Sequence, residues 1–277
     1  MKLTILWIVF LAILNGFSQT NLTFGIYASD KPTEMIKQFR PVMKVLENGL
    51  SEYLGKPIKI KIHVAKSYTQ GIDDLITGKV DFSRFGPASY VKAKDQNDKL
   101  RIITLESIKG KNTFYGIFCT QENSPIKSVK DLKGKKFAFG NKNSTIGRYL
   151  AQQHMIDNNV MSSDLLEYKY LGRHDLVGTE VAAGNFDAGS LKESTFKKLV
   201  KKGLSLREIA RFENVTKPWI ASGNMDEKIY LAIQNVLLEL KDAKALKALK
   251  KDGFVKGSDS DFQKIRESIK RNAEFFK

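Results

Sequence analysis

Ser144 and Thr145 are the residues whose type and position most directly imply chemistry. They follow a short apolar run, Phe137 to Phe139, that breaks at Gly140, and they open a segment of helical composition, Ile146 to Met155. A buried strand feeding a helix through a Ser/Thr turn aims several backbone N–H groups at one point. It also sets two hydroxyls beside them, with the positive end of the helix dipole behind. The donors would be the Ser144 and Thr145 hydroxyls and the amides of Thr145, Ile146 and Gly147, a cradle for an oxyanion. An ordinary Ser N-cap is the plainer reading of the same residues. His174, one of three histidines, stands before a predicted helix beside Asp175, which could cap that helix as readily as touch a ligand. A protonated His174 could donate to an anion, and affinity would then weaken as pH rises above neutrality. Arg84 lies inside a strand pattern, where an unpaired guanidinium is costly. It could bridge to Asp81 or Asp187, or reach a ligand.

The elements that must position these residues alternate strand and helix along the chain, which reads as an α/β fold. Strands are predicted over 21–27, 58–64, 80–85 and 101–108, with helices over 31–54, 69–78 and from 87. A second series begins near Thr113, with strands over 113–120, 135–140, 166–171, 186–190 and 206–212 and helices between them. After Trp219, which looks like a packing residue in a linker, helix is predicted over 226–250 and from 259 to the end. The two series echo each other: Gly78, Val80 and Asp81 before one short strand match Gly184, Phe186 and Asp187 before another. Each reads as a helix stopped at glycine and a tight return into a sheet. The expected division is a leader over 1–18, a first lobe of 19–110 and 214–277, and a second lobe of 111–213. Two chain crossings then make a hinge, with a cleft between the lobes for a small ligand.

The chain opens with Met1 and Lys2, an apolar run from Leu3 to Leu14, and a small residue, Ser18, at a plausible cleavage point, the pattern of an export signal. The run is too short to span a bilayer. The sole cysteine, Cys119, lies in an apolar strand pattern, so no lipid-bearing cysteine follows the leader; it reads as a packed thiol. A periplasmic protein without a lipid anchor is expected. The formal net charge is +16, from 46 Lys and Arg against 30 Asp and Glu. The lysines are scattered over predicted helix faces without interleaved aromatics, and export argues against nucleic acid as a partner.

Several segments in order resemble the phosphonate/phosphite/phosphate-binding periplasmic proteins of ABC importers. They are Phe24 to Thr33, Gly78 to Val91, Asp131 to Gly140, Asn143 to Gly147, Gly172 to Asp175, and Gly184 to Gly189. The resemblance implies a two-lobed type II periplasmic-binding-protein fold with a hinge and an inter-lobe cleft. It further implies a small phosphorus oxyanion as ligand, an inner-membrane ABC permease as partner, and no cofactor, metal or catalytic residue. Carried over residue by residue, it assigns ligand contacts to Tyr27, Tyr90, Ser144, Thr145, His174 and Asp175, and to Glu193 as an acidic partner for a ligand amine. Many relatives carry a third hydroxyl residue where this chain has Ile146 before Gly147, so only the backbone donor survives there.

A binding protein needs four or five charge-assisted hydrogen bonds, each worth about 1.5–3 kcal/mol, to reach the roughly 8 kcal/mol of a micromolar complex. Other readings are a ligand-presenting partner of a membrane receptor, a sulfonate-type anion binder, and a phosphoesterase using His174 and Asp175. The last lacks a paired nucleophile and base. The C-terminal helix, with Ile265, Ile269, Phe275 and Phe276, could pair two copies into a homodimer or lie free on the surface.

Overall fold

The computed structural model describes residues 19–28 and 31–277; the expected leader, 1–18, lies outside the described residues. One mixed sheet comprises β1 (Thr20–Tyr27), β2 (Ile58–Ala65), β3 (Phe82–Arg84), β4 (Arg101–Ser107), β10 (Pro218–Ala221) and β11 (Gly253–Val255). Its order is β11-β4-β10-β3-β1-β2. The second comprises β5 (Thr113–Gln121), β6 (Lys136–Phe139), β7 (Glu167–Tyr170), β8 (Ala188–Lys192) and β9 (Leu206–Val215), in the order β7-β6-β8-β5-β9. Around the first sheet lie α1 (Pro32–Leu54), α2 (Tyr68–Ile76), α3 (Pro87–Gln96), α7 (Glu227–Leu238) and α8 (Ala243–Leu249). Around the second lie α4 (Leu150–Ile156), preceded by a π-helical turn (Thr145–Tyr149), α5 (His174–Ala182) and α6 (Glu193–Lys201). The final helix, α9 (Gln263–Arg271), runs between the two. This is the two-lobed α/β arrangement that the alternating pattern implied.

The sequence echo has a physical basis. The Asp81 amide donates to the Thr23 carbonyl at 3.0 Å, while the Asp81 carboxylate accepts the Thr23 amide at 2.6 Å. In the other sheet, the Asp187 amide donates to the Lys136 carbonyl at 3.0 Å and the Asp187 carboxylate accepts the Lys136 amide at 2.7 Å. Each aspartate thus pins a helix-to-strand return onto the neighbouring strand, and neither pairs with Arg84. The partner of Arg84 is Glu106 on β4, held by two hydrogen bonds of 2.7 and 3.0 Å.

β10 is a strand where a linker was expected. Pro218 begins it, a position where the missing N–H is tolerated. Its four residues are fully buried between β3 and β4, so they carry no alternating pattern. Trp219 packs against Phe24 with ring centroids 4.8 Å apart and forms the centre of the first core. The helix expected over 226–250 breaks in two, because Asp242 accepts the Ala245 amide and caps a new start. The crossings between the sheets pair with each other: the Thr216 amide donates to the Asn112 carbonyl at 2.7 Å.

The C-terminal segment uses its apolar side within the chain. Phe262 and Ile265 join a core that includes Tyr90, and Phe275 enters the core of the second sheet beside Phe139. Of the four residues expected to offer a pairing face, Ile265 and Phe275 are buried, Ile269 is half-buried, and Phe276 is exposed.

Candidate functional site

The Ser/Thr turn forms as the sequence predicts. Gly140, at the end of β6, and Gly147, in the π-helical turn, touch backbone to backbone. The Gly140 amide donates to the Gly147 carbonyl at 2.8 Å, and a Cβ on Gly147 would meet the Gly140 Cα at 2.7 Å. That contact turns the start of the helix back over the strand end. Ser144 caps it, its hydroxyl oxygen accepting the Gly147 amide at 2.9 Å. The amide expected of Gly147 as a ligand donor is therefore already used. Those of Thr145 and Ile146, first in the helix, have no intrahelical acceptor. Both hydroxyl oxygens act as acceptors toward protein amides, Ser144 from Gly147 and Thr145 from Ala88 at 2.7 Å. Each keeps its own proton to donate.

The Ala88 amide belongs to the N-terminal turn of α3, on the first sheet, so the two sheets meet here. Around this meeting point one cavity of about 20 Å³ gathers Tyr27, Ser144, Thr145, Ile146 and His174. Four residues with polar side chains that sequence reasoning did not select also line it: Tyr68, Lys192, Asn214 and Lys217. Tyr68 opens α2 after Ser67, whose hydroxyl accepts the Gln70 amide at 3.1 Å. This strand, Ser and helix pattern is the one that flagged Ser144, and it could have flagged Tyr68. The Tyr68 ring stacks on Tyr27 at 3.9 Å.

Tyr27 itself is committed to positioning. Its hydroxyl accepts the Gly86 amide at 2.6 Å and donates to Ser89 at 3.0 Å. Burial raises its phenol pKa, which the Ser89 and Gly86 bonds lower in part, so it stays protonated at neutral pH. His174 is buried at the first position of α5, its ring against Gly140.

Four expected residues do not line the cavity: Gly147, whose amide Ser144 takes, and Tyr90, Asp175 and Glu193. Tyr90 is the fourth residue of α3, on the face turned to Phe262, and its hydroxyl donates to Asp259 at 2.6 Å. Burial and the Asp259 carboxylate push its phenol pKa upward. Asp175 is held by Arg173 in a pair of 3.0 Å hydrogen bonds. Glu193 lines a neighbouring, wider cavity and pairs with Lys197 at 2.7 Å.

Asn214, at the end of β9, had no signal in the sequence. Its side chain is 2% exposed, and neither its amide nitrogen nor its oxygen has a hydrogen-bond partner among the described residues. A buried amide left so costs about 1–3 kcal/mol, which marks a group built for something other than stability. Whichever way the amide is turned, one end donates and the other accepts. Lys217, in the next crossing segment, is half-buried. Burial, then the cations of Arg84 and Lys192, push its pKa well below the ordinary lysine value, against an opposing pull from Glu106. Glu106 is fully buried; burial alone would raise its carboxyl, but Arg84 and Lys251 hold it down to about 2. Cys119 is a packed thiol that burial pushes up to about 12.

Comparison with known proteins is consistent with this architecture. Residues 24–262 match the model of the family described as ABC transporter, phosphonate, periplasmic substrate-binding protein. Among curated proteins, the chain is 27% identical over 199 residues to a probable ABC transporter phosphite binding protein, PhnD1, of Prochlorococcus marinus. It is 26% identical over 185 residues to the phosphate-import protein PhnD of Mycolicibacterium smegmatis. These matches take in 65% and 63% of this chain, and the chain spans 65% and 55% of the two relatives' own lengths. A solved structure of the Prochlorococcus marinus PhnD1 in complex with methylphosphonate superimposes with a TM-score of 0.80 at 22% identity, covering 92% of this chain and 98% of that one. The periplasmic aliphatic sulphonate binding protein SsuA of Escherichia coli superimposes with a TM-score of 0.62 at 20% identity, covering 92% and 78%. The chain belongs to the phosphonate-binding family of ABC-transporter periplasmic substrate-binding proteins.

Proposed function

We propose that this protein captures a small phosphorus oxyanion in the periplasm and delivers it to an ABC permease. The ligand sits where the Ser/Thr helix start under one sheet meets the α3 start under the other. The hydroxyls of Ser144 and Thr145, the amides of Thr145 and Ile146, and His174 donate from one side. Tyr68 completes the wall from the other, braced by Tyr27. The moving units are the expected lobes, 19–110 with 214–277 and 111–213, closing about the paired crossings at Asn112 and Thr216.

The observation that carries this reading is Asn214. A monoprotonated phosphonate or phosphate has oxygens that accept and one P–OH that donates. It can satisfy both ends of the buried amide, whose atoms find no partner among the described residues. A sulfonate offers acceptors only and leaves the carbonyl end unpaired, so the second reading, a sulfonate binder, is disfavoured on the same ground. The relatives named for phosphite, phosphate and methylphosphonate point the same way.

A thermal-shift panel of phosphite, phosphate, methylphosphonate, methanesulfonate and an uncharged solute tests it. A ligand at about 100 times its dissociation constant stabilises by about 2.7 kcal/mol. A shift with the sulfonate or the uncharged solute and none with any phosphorus anion would sink the proposal.

A further inference from the structure

Beside the small cavity lies one of about 400 Å³, and the two share Phe114, Lys192 and Lys217. The larger cavity is walled by the start of α1, the end of α8 and the start of α6, so it too lies between the sheets. We propose that it is a second anion subsite, and that the ligand is a phosphonate or phosphate monoester bearing a second anionic group. The inference rests on the oxyanion reading above and extends it to the far end of the ligand.

The acids in the wall are already matched: Glu34 with Lys198 at 3.0 Å and Glu193 with Lys197 at 2.7 Å. The buried Glu106 behind the wall is matched by Arg84 at 2.7 Å and, more loosely, by Lys251 at 3.5 Å. By contrast Lys37, Lys217, Lys247 and Lys250 line the cavity with no carboxylate at ion-pairing distance among the described residues. Among the described residues the surplus in this recess is positive, with Lys217 half-buried at its inner end and Lys37, Lys247 and Lys250 exposed around its mouth.

Lys250 adds an independent sign. It ends α8 in the left-handed conformation, φ 58° and ψ 45°, a position where glycine is favoured and a side chain is strained. A lysine stands there, and it borders the cavity. Lys217 contributes from the inner end, half-buried between both cavities, where Arg84 and Lys192 oppose its charge and Glu106 favours it. An anion there would relieve its repulsion from Arg84 and Lys192.

A basic recess could instead only steer anions inward, which would quicken association for every anion without favouring a second charge. Isothermal titration of the whole protein separates the two. Its probes are methylphosphonate, propylphosphonate, 3-phosphonopropionate and 2-aminoethylphosphonate. The expected result is 3-phosphonopropionate binding about tenfold or more tighter than propylphosphonate, with 2-aminoethylphosphonate weaker than both. The Lys37→Ala/Lys250→Gly double variant should lose most of that advantage and keep its methylphosphonate affinity. Its thermal midpoint should hold, since glycine suits the backbone at Lys250. Equal affinity for the charged and neutral chains, or preference for the amine, overturns the subsite while methylphosphonate binding leaves the oxyanion reading intact. Failure of all four probes overturns the subsite, and the oxyanion reading falls with it only if phosphite and phosphate fail to bind as well.

Discussion

The amide of Ala88 donates to the hydroxyl of Thr145 at 2.7 Å, joining the start of α3 on the first sheet to the start of the Ser/Thr helix on the second. Two helix N-termini, each with a partial positive charge, therefore face one another across the lobe boundary. Alone they repel; a hydroxyl bridge softens the contact, and an anion lodged beside it reverses the sign. This is the electrostatic ground for the ligand-driven closure proposed above.

Thr145 joins the two sheets through one oxygen, so its variants should report whether that hydroxyl matters for binding. Thr145→Val keeps the shape and removes both the acceptor for Ala88 and the donor for a ligand. Methylphosphonate affinity should fall by about 10- to 100-fold, the worth of one charge-assisted bond, while Thr145→Ser should retain most of it. Titration calorimetry on both variants is the check. Full affinity in Thr145→Val with a loss in Thr145→Ser would mean the methyl group, and not the hydroxyl, matters.

Asn214 should show opposite effects on stability and binding. Replacing its unpartnered buried amide by Leu should raise the unfolding free energy by up to about 1–3 kcal/mol, measured in urea. The same change should weaken phosphonate binding. A variant that loses stability and keeps its affinity would show the amide to be structural.

Gly147 is needed for its lack of a side chain. A Cβ there would meet the Gly140 Cα at 2.7 Å, so Gly147→Ala must push the helix start off the strand. A cost of about 1–3 kcal/mol is expected, with loss of ligand-induced stabilisation. Gly134→Ala is a useful control. It lies at φ 71°, with nothing within 4 Å of its added carbon, and should leave binding unchanged.

The buried Glu106 ties stability to acid. Its carboxyl is held at about 2, below its ordinary value of 4.5. A depressed carboxyl stabilises the fold fully above the ordinary value, and this contribution is lost as pH falls from about 4.5 through about 2. Denaturant midpoints measured across that window should fall steeply in the native protein and less steeply in Glu106→Gln. The variant should also be destabilised by about 3–5 kcal/mol at neutral pH, because Arg84 is left buried without its counter-charge. An unchanged acid profile would remove Glu106 as its source.

Much of the architecture was legible because its signals are local. Alternating Ile and Lys in β2, the Gly and Asp returns at Asp81 and Asp187, and the strand broken at Gly140 before Ser144 each depend on neighbours in the chain. What escaped was either short, as β10 and β11 are, the first of them wholly buried, or governed by packing. Tyr90 shares a motif with residues at the lobe boundary, yet helical periodicity carries it to the Phe262 side, while Ala88, two positions earlier, faces Thr145.

Residue order alone determined an α/β chain and a helix start at Ser144 and Thr145. It left the lysines looking scattered and Asn214 unremarkable. Only the packed structure decided which donors are already used, as at Gly147 and Tyr27, and which buried atoms stay unpaired, as at Asn214. Hydrogen-bond satisfaction and charge balance depend on neighbours far apart in the chain, and only folding brings those neighbours together.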